Sequence, residues 1–230
     1  PNEEKAVTFR QGEVHYIKFP SFQTNIIFNS TGYYHISDIN FIQVAATAPF
    51  SFTAVILSSV QFINILKSPL EVSVNSSTLS CSKILQNSKD VVTMSMKSQE
   101  DFTMKIKLSG ITDWSENVKI DQNVITSKKG SSPIMMKCDV IEMLPQCYIC
   151  SPSFCCWVNL TQKAISCQNG TDHLITQITF TPLLTFKNRL DVHVITSIGT
   201  IPPKKSLYFS SMPNNQIVIE NPNYVIHLIS

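Results

Sequence analysis

Glycine and charged residues are both scarce in this sequence. Only six of the 230 residues are glycine, and 15% are charged, with a formal net charge of +2. Dinucleotide fingerprints and phosphate-binding loops need closely spaced glycines, and neither pattern occurs. The basic residues are scattered, so the basic stripe interleaved with aromatics that is typical of nucleic-acid binding is missing as well. We therefore expect no cofactor and no nucleic-acid partner.

The sequence also lacks an apolar run that could cross a membrane. Its most apolar window, Phe41–Leu57, is interrupted by Gln43 and Pro49, and it falls short of the roughly 20 apolar residues that a spanning helix needs. We expect two buried strands around a turn at Pro49. The chain opens without a basic start followed by an apolar run. If the protein is secreted, this is a processed segment, and we expect any membrane anchor to lie outside these residues.

Alternation with a period of two dominates the pattern of apolar residues. In the run "DFTMKIKL", Phe102, Met104, Ile106 and Leu108 alternate with Thr103, Lys105 and Lys107, as in a half-buried strand. Other β-rich runs are EVHYIKF, GYYHISDI, DVVTMSM, HLITQITF, LDVHVITSI and NQIVIENPNYVIHLI. The best candidate for a short helix is Ser80–Asp90. The pattern predicts an all-β fold, with one or more antiparallel β-sandwich domains and a small disulfide-rich module.

Cysteine content divides the chain. Six of the seven cysteines fall between residues 131 and 170, and the polar stretch Thr126–Pro133 before them is typical of a connector. We predict a β-sandwich-like domain over residues 1–130 and a cysteine-rich module over 131–170. The strands of 171–230 either complete the first sandwich or start a second. No repeat of fixed length is evident.

Three interpretations compete for the cysteines, which are Cys81, Cys138, Cys147, Cys150, Cys155, Cys156 and Cys167. A zinc site could use the pair Cys147 and Cys150, but the adjacent Cys155 and Cys156 diverge on a strand and do not easily share one ion. A redox pair would need a helix after Cys150, and Pro152 with later β-formers predicts a loop and a strand instead. We favour a disulfide framework. Seven cysteines leave at least one outside any internal pair, and spacing alone does not fix the connectivity.

Glycosylation sequons support that interpretation. Four N-x-S/T sites occur, at Asn29, Asn75, Asn159 and Asn169. Sequons, clustered cysteines, β-rich patterning and low charge agree on an oxidising, glycosylating compartment. We therefore predict an extracellular or lumenal location, on a membrane face or in secreted form.

The run Cys138–Cys167 resembles the small cysteine-rich module shared by plexins, semaphorins and integrins. Cys147 and Cys150 match its C-x-x-C, Cys155 matches the cysteine two before Trp157, and Cys167 matches the closing cysteine. Cys156 stands where the family usually has glycine, Val158 where it usually has cysteine, and the spacing before Cys155 is short. The resemblance covers about thirty residues and implies a structural wedge between β-domains of a cell-surface protein.

No catalytic motif is present. The five histidines are dispersed, and neither a zinc-protease motif nor a nucleophile elbow occurs. The leading hypothesis is a binding or adhesion ectodomain of a membrane-anchored or secreted glycoprotein, without enzymatic activity. It would act on a protein partner, with another membrane subunit among the candidates. The alternatives are a structural accessory subunit of a larger membrane complex and a lumenal hydrolase with a non-contiguous site.

Overall fold

A computed structural model describes most of the chain. The described ranges are 14–18, 23–27, 30–48, 51–66, 68–86, 91–121, 133–139, 153–168, 170–196, 199–209, 216–221 and 224–229. Within these ranges all regular secondary structure is β-strand, arranged in several antiparallel sheets. The all-β prediction is confirmed, and the arrangement is consistent with a β-sandwich.

Twenty strands are formed by the described residues. They are β1 Val14–Lys18, β2 Gln23–Ile27, β3 Gly32–His35, β4 Asn40–Ala48, β5 Ser51–Ser58, β6 Val60–Asn64, β7 Leu70–Ser76, β8 Ser80–Leu85, β9 Val91–Met94, β10 Phe102–Leu108, β11 Val118–Ile120, β12 Ile134–Asp139, β13 Ser153–Ser166, β14 Asp172–Pro182, β15 Leu184–Lys187, β16 Val194–Thr196, β17 Gly199–Ile201, β18 Ser206–Phe209, β19 Gln216–Asn221 and β20 Tyr224–Ile229.

Six sheets result, with the strand orders β1-β2, β3-β4-β5, β11-β10-β7-β8, β12-β13-β14-β6-β9, β15-β18 and β17-β16-β19-β20. The chain separates into two compact units. Unit 1 contains Pro1–Gln61, Thr93–Gln99 and Gln162–Thr176, and unit 2 contains Phe62–Val92, Glu100–Thr161 and Gln177–Ser230. The unit boundaries do not coincide with the boundaries expected near residues 130 and 170. β12 and β13, from the expected cysteine-rich module, are strands of the five-stranded sheet.

Strand alternation produces the core of unit 2. On β10, Phe102, Met104, Ile106 and Leu108 are buried, while Thr103, Lys105 and Lys107 on the other face are half-buried. β7 lies antiparallel beside it and pairs Val72 with Ile106 and Val74 with Met104, so the apolar faces coincide. This confirms the strand predicted from "DFTMKIKL". A one-residue slip in register would turn every one of these side chains toward solvent.

Two local predictions need correction. The helix suggested for Ser80–Asp90 is wrong for its described part, because Ser80–Leu85 is strand β8 and pairs with β7. Cross-strand pairing there outweighs weak local helix propensity. The two strands predicted within Phe41–Leu57 are present as β4 and β5, although Pro49 lies outside the described residues. β5 is not buried as expected, since Phe52, Val55 and Ile56 are exposed. Within the described residues, no helix is long and apolar enough to cross a membrane.

An internal repeat of strand order appears that the sequence pattern did not reveal. In the first copy, β7 and β8 form a hairpin, β10 pairs with β7 and with β11, and β6 lies beside β9. In the second copy, β16 and β17 form a hairpin, β19 pairs with β16 and with β20, and β15 lies beside β18. Each strand of β6–β11 therefore has a counterpart in β15–β20, in the same chain order. The strands and loops of the two copies differ in length, so no fixed period exists in the sequence.

A buried asparagine at the equivalent position of each copy forms hydrogen bonds across the first loop. In Phe62–Leu66, the Asn64 side chain accepts a hydrogen bond from the Leu66 amide (2.9 Å) and donates to the carbonyls of Ser68 (2.9 Å) and Leu85 (3.0 Å). In Phe186–Leu190, the Asn188 side chain accepts from the Leu190 amide (2.9 Å) and donates to the carbonyls of Val192 (2.7 Å) and Ile201 (2.9 Å). Both segments read Phe-x-Asn-x-Leu.

The copies differ in what they expose. Leu66 in the first copy is 3% exposed, whereas its counterpart Leu190 is 49% exposed. Val192 and Ile195, close by in the sequence, are 56% and 51% exposed. Val194 between them packs on buried Ile201 and Leu207. The second copy therefore keeps its own small core and presents apolar side chains outward.

Candidate functional site

The predicted glycosylation sites occupy different environments. Asn29 and Asn169 lie outside the described residues. Asn75 is exposed near the end of β7, opposite Ser80 on β8 and Thr103 on β10. Its position leaves room for a glycan on the solvent face of the four-stranded sheet.

The turn after Asn75 is ordered by one carboxylate. Glu100 accepts hydrogen bonds from the Ser77 hydroxyl (3.0 Å), the Thr78 hydroxyl (2.7 Å) and the Thr78 amide (3.2 Å). Slight burial opposes ionisation, but hydrogen bonds from Thr78, Ser76 and Ser77 outweigh it and hold the pKa of Glu100 below its ordinary value. The acidic residue before β10 therefore orders the sequon's turn.

Asn159 is less accessible. It lies inside β13, which has a neighbouring strand on each side, and it is half-buried. The side-chain nitrogen that a glycan would occupy donates a hydrogen bond to Thr181 Oγ1 at 3.0 Å. A glycan at this atom would cost that hydrogen bond and would have to leave the sheet surface beside β14.

The described cysteines are mostly buried. Cys138 on β12 and Cys155 and Cys156 on β13 are all nearly inaccessible, Cys167 is buried after β13, and Cys81 on β8 is half-buried. No disulfide joins two of these five, and Cys147 and Cys150 lie outside the described residues. The disulfide framework stays a prediction. Among the described residues, no group of three His, Cys, Asp or Glu side chains comes together as a metal-binding set.

Strand register limits which bridges are available. Cys138 lies opposite Phe154, and Cys156 lies opposite Met136, so the two cysteines share a buried face as a diagonal pair. Diagonal positions are roughly 7–8 Å apart, beyond the usual Cα separation in a disulfide, about 4.4–6.8 Å. A Cys138–Cys156 bridge would therefore need a shift in register.

Burial keeps these thiols protonated. It raises the pKa of Cys138 to about 12, although hydrogen bonding with Thr112 opposes the rise. Burial, with nearby Cys138 and Cys155, raises the pKa of Cys156 further. It also raises that of Cys81, against the attraction of Lys83, and that of Cys167, with Asp172 adding to it. Because the thiolate is the reactive form, these environments do not resemble those of catalytic or redox cysteines.

A cavity of about 370 Å³ lies between the segment Trp114–Val118 and β12 in unit 2. Met135, Lys137 and Asp139 line its β12 side. The ammonium groups of Lys105 and Lys107 lie 4.8 and 4.7 Å from the centre of the Trp114 ring, which is within the range of cation–π attraction. Trp114 belongs to no recognisable sequence motif, so sequence pattern alone does not distinguish it.

A serine and a histidine meet in unit 1. The Ser59 hydroxyl oxygen lies 3.0 Å from His173 Nε2, and both residues are buried. Ser59 Oγ is also 2.9 Å from the Asp38 carbonyl and 2.8 Å from the Ile39 carbonyl. Carbonyls only accept hydrogen bonds, so when the Ser59 proton is directed at one of them, Ser59 accepts from His173 Nε2–H. A catalytic base would instead have to accept the serine proton.

The loop that carries Leu190 is fastened on two sides. Asn188 closes it from within, and Lys204 bonds the Arg189 carbonyl at 2.6 Å and the Asp191 carboxylate at 2.9 Å. Leu190 and Val192 project from this closed loop, and Ile195 projects from β16 soon after it; these three side chains are called the Leu190 patch below. A loop held in one shape loses little further entropy on binding.

No protein-family model matches this chain, and no curated protein matches its sequence.

Proposed function

We propose that this chain is a binding ectodomain of an extracellular or lumenal glycoprotein, and that it recognises a protein partner through the Leu190 patch. The observation that carries the proposal is a contrast between the two copies of the repeat. Leu66 is buried in the first copy, whereas its counterpart Leu190 is exposed in the second. Grouped exposed apolar side chains typically mark interaction sites. Exposed Asn75, on the four-stranded sheet of the first copy, supports the glycosylating compartment.

The contribution of the Leu190 patch to the binding free energy is large enough to be measured. Fully burying a leucine side chain is worth roughly 1.5–3 kcal/mol, so completing the burial of half-exposed Leu190 contributes on the order of 1 kcal/mol. Val192 adds a similar amount. Replacing both by serine should weaken binding by tenfold or more, since about 1.4 kcal/mol corresponds to a factor of ten.

The test compares secreted, labelled chain and its variants for binding to the cells that naturally express the protein. The double variant L190S/V192S should lose binding. The matched control is Ile84→Ser, because Ile84 is 53% exposed on β8 of the first copy, and it should bind as the unmodified chain does. Equal binding by all three proteins would refute the role of the patch. Glycosidase treatment of the secreted chain should lower its mass, and an unchanged mass would refute the compartment.

A structural accessory subunit is the second candidate, because the same patch could serve permanent assembly. The two are separated by stability. An accessory subunit should aggregate or unfold when isolated and be stabilised by its partner, whereas a recognition module should remain folded alone. The hydrolase alternative has Ser59 and His173 as its candidate pair, and the burial of both side chains gives it little support.

A further inference from the structure

His35 and His173 face each other in unit 1 through the same ring atom. The two Nδ1 atoms are 3.2 Å apart, with ring centres 5.4 Å apart. The ring centres are farther apart than the two nitrogens by nearly twice the distance from an imidazole centre to its Nδ1. Each Nδ1 therefore points almost directly at the other. That geometry is a hydrogen bond, in which one Nδ1 carries the proton and the other accepts it.

The surrounding hydrogen bonds decide which histidine donates. With the Ser59 proton directed at the backbone carbonyl of Asp38 or of Ile39, His173 donates from Nε2 to Ser59. A neutral imidazole carries only one ring proton. The lone pair of neutral His173 is therefore on Nδ1, and His35 is the donor across the 3.2 Å contact.

This network accommodates one added proton but not two. With one added proton the contact still pairs one Nδ1–H with one Nδ1 lone pair, and it remains as a charge-assisted hydrogen bond. The remaining site is Nδ1 of His173, inside the contact. A second proton there would place two N–H groups and two positive charges face to face, so the rings must separate.

The other groups near the two histidines change the pKa of His173 only in part. Phe41 on β4 lies 4.9 Å from the His173 ring, centre to centre, and supplies no charge. Burial lowers the pKa of His173, His35 lowers it further, and Asp38 in the β3–β4 turn opposes them. Asp172 is exposed on the opposite side of β14 and accepts from Ser166 at 2.9 Å. The buried thiol of Cys167 has a raised pKa and stays neutral.

The contact joins β3 to the start of β14. His35 ends β3, and His173 is the second residue of β14. Gln168 also connects the two segments, because its amide donates to the Tyr33 carbonyl of β3 at 2.7 Å and its side chain donates to the Thr31 carbonyl just before β3 at 3.3 Å. Gly32 allows that approach, because it has φ of 139° and a Cβ there would come within 2.7 Å of the Gln168 side chain.

We propose that His35, His173 and Ser59 form a proton-operated latch, which holds the β3–β4 turn against the start of β14 at neutral pH and releases it when both histidines are protonated. The released segment is residues 32–40. Its surface would differ between a neutral and an acidified compartment. The latch is in unit 1, apart in sequence from the Leu190 patch, and does not depend on the proposed binding function.

Amide hydrogen exchange of the full chain tests the latch. Protection of residues 32–40, corrected for intrinsic exchange rates, should fall about tenfold between about pH 7.5 and about pH 5, on either side of the ordinary histidine pKa. His35→Gln cannot gain a proton, so its protection should be the same at both pH values. The matched control His193→Gln replaces an exposed histidine of unit 2 and should behave as the unmodified chain does.

Unchanged protection in the unmodified chain, or an equal loss in His35→Gln, would overturn the latch. If His35→Gln fails to fold, histidine NMR titration of the unmodified chain decides instead. The latch requires that His173 titrate below the ordinary histidine value of about 6.5. Titration of His173 at or above that value would overturn it.

Discussion

Replacing Asn64 by alanine should destabilise unit 2 strongly, although the side chain removed is small and uncharged. Asn64 is almost completely buried, and three backbone groups depend on it. They are the amide of Leu66 and the carbonyls of Leu85 and Ser68. Alanine leaves all three without this partner and cannot replace any of the hydrogen bonds.

The size of the effect follows from burial. The bonds to Leu66 and Leu85 are buried, whereas the bond to Ser68 is partly accessible to water. Leaving a buried donor or acceptor unsatisfied costs about 1–3 kcal/mol, so the two buried groups together should cost about 2–6 kcal/mol. With a urea dependence of about 2 kcal/mol per molar, a loss of about 3 kcal/mol lowers the unfolding midpoint by about 1.5 M.

The assay is urea unfolding followed by tryptophan fluorescence, since Trp114 and Trp157 both belong to unit 2. Asn117→Ala is the matched control, because Asn117 is exposed and its replacement should change stability by less than about 0.5 kcal/mol. Asn188→Ala should also destabilise, because that side chain makes the equivalent bonds in the second copy. A change below about 0.5 kcal/mol in Asn64→Ala would show that this loop does not need its asparagine.

Three further outcomes are expected. In a eukaryotic secretory host, Asn75→Gln should remove a glycosidase-sensitive mass increment. Asn159→Gln should not, because the Asn159 side-chain nitrogen donates a hydrogen bond to Thr181. The reverse result would contradict the claim that Asn75 is the more accessible of the two. Native alkylation near pH 8 should leave Cys138 and Cys156 unmodified until denaturant and a reductant are added, since burial raises both pKa values. Rapid modification of the native chain would contradict their burial. The free energy of unfolding should fall as pH drops below about 6.5, because the lowered pKa of His173 in the folded chain lets the unfolded chain bind more protons. The fall should be smaller in His173→Gln, and an identical pH profile of the variant would contradict the role of His173.

Sequence pattern predicted strands well where one face is buried. The alternation of Phe102 to Leu108 records a strand with one apolar and one polar face, and the structure confirms it. The sequence pattern was wrong for Ser80–Leu85, because pairing with β7 is a long-range interaction that local propensity does not contain.

The candidate sites were harder to predict, because their residues come from distant parts of the chain. His35, Ser59 and His173 belong to three segments, and no spacing brings them together in the sequence. The repeat left one trace, the shared Phe-x-Asn-x-Leu of Phe62–Leu66 and Phe186–Leu190, which is too short to stand out without the strand order. Exposure of Leu190 could not be predicted either, since its local sequence matches that of buried Leu66.

Photocrosslinking from position 190 tests the recognition proposal most directly. A photoreactive amino acid in place of Leu190, in chain expressed in its natural cells, should yield a crosslink to a second polypeptide. The same amino acid in place of Ile84, which is similarly exposed on the first copy, should yield none. Crosslinking from position 84 with none from position 190, at equal incorporation, would contradict the claim that the second copy carries the binding surface.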